Sequence, residues 1–186
     1  IGLGYIGLPT ASLLATKGYD VLGVDVSESI VSTINSGKVH IVEPDLDILV
    51  KSAVNSGKLK ASLQPKQADV FIIAVPTPFK EGYQPDLAYV EQATRLISPY
   101  VKKGNLIILE STSPTGTTDE TVAKILKAEG HNIEKDIFVA HCPERVLPGQ
   151  ILHELVANDR IVGGINKEST KQAANFYREF VKGEIL

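Results

Sequence analysis

Ile1-Gly2-Leu3-Gly4-Tyr5-Ile6-Gly7-Leu8-Pro9 opens the chain, and Val21-Leu22-Gly23-Val24-Asp25-Val26 follows it. The first stretch is a G-x-G-x-x-G loop, which joins a strand to a helix in dinucleotide-binding units. Ala11, Leu14 and Ala15 continue it with helical spacing, and Lys17-Gly18 supplies a stop. The second stretch reads as a buried strand with Asp25 near its C-terminal end. Together they make most of a βαβ unit, whose first strand is expected to lie almost wholly before residue 1. Gly2 permits the tight turn, Gly4 lets backbone approach a pyrophosphate, and Gly7 lets helix and strand pack closely. The helix start offers unpaired N–H groups and partial positive charge to that anion. Asp25 lies 18 residues after Gly7, close to the ~20 expected for a carboxylate on the adenosine ribose hydroxyls. Such a carboxylate repels a 2′-phosphate, so NAD is expected over NADP. The competing reading makes Asp25 a mere cap for the helix after Ser27. The order of loop, helix, strand and acid favours the cofactor.

Outward from this unit, strand and helix signals alternate. Helices are expected over 27–36, 45–56, 86–101, 117–129 and 167–180. Strands are expected over 59–62, 69–75, 106–110, 137–141 and 160–163. This alternation predicts an α/β fold, a doubly wound parallel sheet of Rossmann type, filling residues 1–186 as one domain. No internal repeat, low-complexity linker or charge block interrupts it.

Composition excludes several classes. The 186 residues carry 19 Lys+Arg against 22 Asp+Glu, a formal net charge of −3, which argues against nucleic-acid binding. The apolar run Val70–Val75 is far too short to span a bilayer, and no signal peptide opens the chain. Cys142 is the single cysteine, so no internal disulfide forms and a reducing, cytoplasmic setting is expected. The four histidines (His40, His131, His141, His153) lack metal-ligand spacing, so no metal site is expected. Methionine is absent altogether, which suggests a piece of a longer protein.

In doubly wound sheets, ligands bind beyond the carboxyl ends of the strands. Besides the glycine loop, three such segments are chemically distinctive: Val75-Pro76-Thr77-Pro78, Glu110-Ser111-Thr112-Ser113-Pro114 and His141-Cys142-Pro143-Glu144-Arg145. They offer hydroxyls (Thr77, Ser111, Thr112), a carboxylate (Glu144) and a guanidinium (Arg145), groups suited to a polar or anionic substrate. The alternative is that prolines end strands and hydroxyls cap helices, with Arg145 paired to an acid such as Asp159. Cys142 reads as a small buried thiol, because neighbours on a strand face opposite ways.

The succession GLGYIGLP, VDV, EPDL, VPTP, PDL, ESTSPTGTT, CPERVLPG and NDRIVGG resembles the UDP-glucose/GDP-mannose dehydrogenase family, in its N-terminal NAD-binding domain. The resemblance runs from end to end. Arg145 and Val146 after Glu144 resemble the members that act on N-acetylated sugars, where glucose-type members carry an aromatic residue and Leu.

The resemblance implies four-electron oxidation of the C6 alcohol of UDP-N-acetyl-D-mannosamine to UDP-N-acetyl-D-mannosaminuronate, for cell-surface polysaccharide precursors. UDP-GlcNAc, UDP-GalNAc and UDP-glucose remain alternative substrates. Two hydrides leave for two NAD⁺, and a cysteine captures the intermediate aldehyde before water releases the acid. By motif, Gly2, Gly4, Tyr5, Ile6, Gly7, Asp25, Thr77 and Thr112 meet NAD. Thr112 also lies near the reacting carbon, Glu144 handles the hydrolytic water, and Glu144, Arg145 and Val146 meet the sugar. The nucleophilic Cys and the catalytic Lys are expected past Leu186, leaving this piece without turnover, and the full-length enzyme is expected to be a homodimer. A reading of another class, a non-catalytic dinucleotide-binding module, stays open.

Overall fold

A computed structural model describes all residues from Ile1 to Leu186. Its order is α1 (Gly7–Thr16), β1 (Val21–Val24), α2 (Glu28–Asn35), α3 (Leu46–Asn55), β2 (Leu59–Ser62) and β3 (Val70–Ile73). There follow α4 (Ala88–Ile97), β4 (Leu106–Leu109), α5 (Lys124–Ala128), β5 (Phe138–His141), α6 (Ile151–Ala157), β6 (Gly163–Gly164) and α7 (Lys167–Arg178).

β1 pairs with β2, and β3, β4 and β5 pair in succession, all parallel. Residues Ile1–Leu3 join the two groups. Gly2 N–H donates to Val24 O at 2.8 Å, and Ala74 N–H donates to Ile1 O at 2.8 Å. The spatial order is therefore β2, β1, residues 1–3, β3, β4, β5, β6. The glycine loop leaves the sheet where the order of strands reverses, the place at which such folds bind ligands.

Side-chain alternation builds two layers on the sheet. Phe71, Ile73, Ile107, Leu109 and Val139 face Val90, Ile97, Val122 and Leu126 beneath α4 and α5. Leu106, Ile108, Ala140 and Cys142 face Ala173, Tyr177 and Phe180 on the α7 side. All four residues of β4 are buried, as a central parallel strand requires. A third cluster, including Leu3, Leu8, Ile34, Leu46, Val50 and Leu59, packs α1 and α3 against β1 and β2.

Three elements depart from the sequence expectations. The last strand is not parallel at 160–163: β6 pairs antiparallel with β5, and Arg160 makes only a single bridge, with Ile185. The expected helix at 117–129 begins as a π-helical segment, Thr118–Ala123, before α5. Helix α6 was not anticipated, because only Ile151 and Leu155 are buried along its seven residues, too short a signal for helical periodicity.

Candidate functional site

The glycine loop is shaped by its surroundings. Gly2 has φ 89°, and a Cβ there would stand 2.6 Å from Ala74 O. A Cβ on Gly7 would collide with the Gly2 carbonyl oxygen, closing the turn from its other end. Gly4 has nothing within 4 Å of such an atom, so open space lies above its backbone. The N–H groups of Gly4, Tyr5, Ile6 and Gly7 have no acceptor within the chain, and no side chain caps α1. Together they form an anion cradle. Tyr5 stands half-exposed beside it.

Asp25 closes this cradle at the end of β1. Its Oδ2 accepts from Leu3 N–H and its Oδ1 from Ser27 N–H, both at 3.0 Å. Ser27, not Asp25, is the N-cap of α2, accepting from Ile30 N–H at 3.4 Å. A carboxylate has about four acceptor positions, so Asp25 keeps capacity for ribose hydroxyls while fixing the loop. The residues present therefore fit an NAD adenosine diphosphate: an open glycine, free N–H groups, and an acid at the second strand end.

Thr77 and Thr112, 35 residues apart, are brought together: the Thr77 hydroxyl donates to Thr112 O. The Ser111 hydroxyl donates to Val75 O at 2.7 Å. Two of the predicted segments are thus cross-linked at the ends of β3 and β4, next to the glycine loop. Ser111 is buried in this role, whereas Thr77 is half-buried and Thr112 exposed.

Beneath the third segment lies a buried polar cluster on the α7 face. Glu144 pairs with Arg160, both almost wholly buried. Arg160 also donates to Leu155 O at 2.9 Å and lies 5.3 Å over the Tyr177 ring. The Tyr177 hydroxyl donates to Glu110 Oε1 at 2.7 Å. Burial lifts the Glu110 carboxyl from its ordinary 4.5 to about 7, with Tyr177 and Arg160 opposing. Burial also pushes the Cys142 thiol up to about 11, so Cys142 is a poor nucleophile near neutrality. The Glu144 carboxylate expected to handle a water faces this interior cluster. Sequence reasoning missed Arg160, Tyr177 and Glu110 because their partners lie 16 to 67 residues away. The only available signal was parity, since Glu110 and Cys142 extend the inward face of β4 and β5.

Arg145 is different. It is exposed, and its guanidinium makes one contact, to Asp159 O at 3.5 Å. The Asp159 carboxylate accepts instead from Glu184 N–H at 2.7 Å, so the Arg145–Asp159 ion pair considered from sequence does not form. Val146 is half-buried, and its N–H has no acceptor in the chain. Arg145 and Val146 thus present a charge and a free donor beyond the end of β5.

The profile of the UDP-glucose/GDP-mannose dehydrogenase NAD-binding domain matches residues 1–181. The chain belongs to this family. It is 53% identical, over its whole length, to the UDP-N-acetyl-D-mannosamine dehydrogenase of Campylobacter jejuni, covering 48% of that protein. It is 51% identical to an NDP-N-acetyl-D-galactosaminuronic acid dehydrogenase of Ralstonia nicotianae, again over all of this chain and 46% of that one. The UDP-N-acetyl-mannosamine dehydrogenase Cap5O of Staphylococcus aureus superposes with a TM-score of 0.97 at 46% identity, across the whole chain and 45% of its own. The chain spans about half the length of these relatives. Its cofactor is NAD, as the family's domain and the cradle agree. No helix is long and apolar enough to cross a membrane.

Proposed function

We propose that residues 1–186 are the NAD-binding domain of a longer nucleotide-sugar 6-dehydrogenase, oxidising UDP-N-acetyl-D-mannosamine to its uronate. The observation that carries this reading is 53% identity across the entire chain to a UDP-N-acetyl-D-mannosamine dehydrogenase. Bound NAD⁺ supplies a hydride acceptor. The chain's own residues do the positioning. Gly2, Gly4, Tyr5, Ile6 and Gly7 seat the pyrophosphate, and Asp25 holds the adenosine ribose. Thr77 orients Thr112, which is placed to meet cofactor and reacting carbon together. Arg145 and Val146 meet the sugar, and Glu144 acts through the loop it anchors from within. The nucleophile and the proton-handling lysine are assigned to the part of the enzyme beyond this domain. The unreactive thiol of Cys142 supports that assignment. A working homodimer in the cytoplasm completes this reading.

A second substrate has a specific argument. The galactosaminuronate-type relative is 51% identical, so the N-acetylated group is better supported than the stereochemistry of the sugar. Turnover by the full-length enzyme with NAD⁺ and four UDP-sugars (ManNAc, GlcNAc, GalNAc, glucose) decides between them. The expected result is about two NADH per UDP-N-acetylmannosamine consumed, as a four-electron oxidation requires. Preference for UDP-glucose, or no turnover of any nucleotide sugar, contradicts the proposal.

A further inference from the structure

The motif Glu43-Pro44-Asp45-Leu46 has no part in the site as described, yet Glu43 is only 7% exposed. Its carboxylate reaches across more than a hundred residues of sequence. Oε2 accepts from Gly149 N–H at 2.8 Å, and Oε1 accepts from Ile151 N–H at 2.7 Å. Gly149 lies in the loop that follows Arg145 and Val146, and Ile151 opens α6 at the end of that loop. Ile41 and Leu46, on either side of Glu43, are buried in the cluster that packs α1 and α3. The carboxylate is therefore held by the cofactor-binding half of the sheet and grips the loop beyond β5.

The rest of that loop repeats the pattern. Arg145 N–H donates to Glu144 Oε1 at 2.7 Å, and Leu147 N–H donates to Glu154 Oε2 at 2.8 Å. Four alternate amides, at 145, 147, 149 and 151, thus end on carboxylates. Val146 N–H, between two gripped amides, has no acceptor in the chain, and beyond it Gln150 N–H donates to Leu147 O at 3.0 Å to close a turn. Glu144 and Glu154 belong to the loop and its helix; Glu43 alone is supplied from outside.

We propose that Glu43 is a positioning residue for the sugar-binding loop, holding Gly149 and Ile151 so that Arg145 and Val146 keep their outward presentation. The idea rests on the assignment of Arg145 and Val146 to the sugar. Charge-assisted bonds are among the stronger ones, and losing the acceptors frees the Gly149 amide and leaves the buried Ile151 donor unsatisfied. The loop then samples conformations in which its substrate groups are misplaced.

The test compares Glu43→Gln and Glu43→Asp with the wild type in the full-length enzyme. Glu43→Gln is expected to raise the KM for the nucleotide sugar ~10-fold or more. NAD affinity and kcat should stay within about threefold. Glu43→Asp, which keeps a carboxylate within reach of one amide, is expected to fall between. Hydrogen exchange should quicken at Gly149 and Ile151 while Arg145 and Leu147 keep their protection. An unchanged sugar KM overturns the proposal, and so does an equal loss of NAD and sugar affinity, which marks general destabilisation. Unchanged exchange at 149 and 151 overturns it whatever the substrate proves to be. Quickened exchange in an enzyme that turns over no nucleotide sugar upholds the clamp and refutes the functional reading instead.

Discussion

The glycine loop and the loop after β5 are held in shape by opposite means. The first is built from backbone, with Gly2 and Gly7 closing the turn and Gly4 leaving space above it. The second is held from beneath by carboxylates, with Glu43, Glu144 and Glu154 accepting from its amides. The turn of the first depends on the absence of side-chain atoms, with Asp25 as its one carboxylate anchor. A charge-built site depends on each buried ion keeping its partner. The two should therefore fail under different substitutions and at different pH.

The largest effect is expected where a buried ion is orphaned. Arg160→Ala removes the partner of buried Glu144, which costs ~3–5 kcal/mol when a buried pair is broken from one side. Denaturant unfolding should show that loss. A loss below about 1 kcal/mol would mean that the loop after β5 does not depend on this pair.

On the other side of the comparison, Gly7→Ala should destabilise by ~1–3 kcal/mol or more, because its Cβ meets the Gly2 backbone. Gly4→Ala should fold normally and weaken NAD binding, since its Cβ enters the space reserved for ligand. Thermal melting and calorimetry separate the two. Equal melting temperatures for both variants would remove the distinction between turn-closing and ligand-facing glycine.

A pH series sharpens the contrast further. Glu110 titrates at about 7 folded and near 4.5 ordinarily. Between those values the folded state keeps a proton that the unfolded chain has released, so stability falls as pH rises through this window. The span corresponds to up to about 3 kcal/mol. Glu110→Gln should flatten that slope, read as urea midpoints from pH 4.5 to 8. Parallel slopes in variant and wild type would mean that Glu110 is not the buried acid responsible.

What sequence revealed follows the same division. Gly2, Gly4, Gly7 and Asp25 lie within 25 residues, and their geometry is local, so their spacing announced the cradle before any tertiary contact was known. Strand β2 was expected at 59–62 and forms there, because its boundaries are marked by Gly57 and by alternating burial. Thr77 and Thr112 were legible as strand-end hydroxyls, although their mutual contact was not. Glu43, Glu110, Arg160 and Tyr177 received no role from sequence, although the first three lie in quoted motifs. Their meaning comes from partners brought close only by folding, and neither periodicity nor turn chemistry encodes such pairings. Glu144 was singled out by motif, but its inward direction follows from the parity it shares with Cys142 and from the position of Arg160.

The central claim is a division of labour, in which Asp25 serves the cofactor and the Arg145–Val146 pair serves the sugar. Steady-state kinetics of two variants of the full-length enzyme, varied in both substrates, tests it most directly. Asp25→Ala should cost ~1–3 kcal/mol in NAD⁺ binding and leave the sugar KM nearly unchanged. Arg145→Phe with Val146→Leu should lower kcat/KM for UDP-N-acetylmannosamine by roughly 30- to 1000-fold while NAD⁺ affinity holds. If either variant weakens both substrates alike, or the loop variant leaves the sugar untouched, the division of labour is wrong.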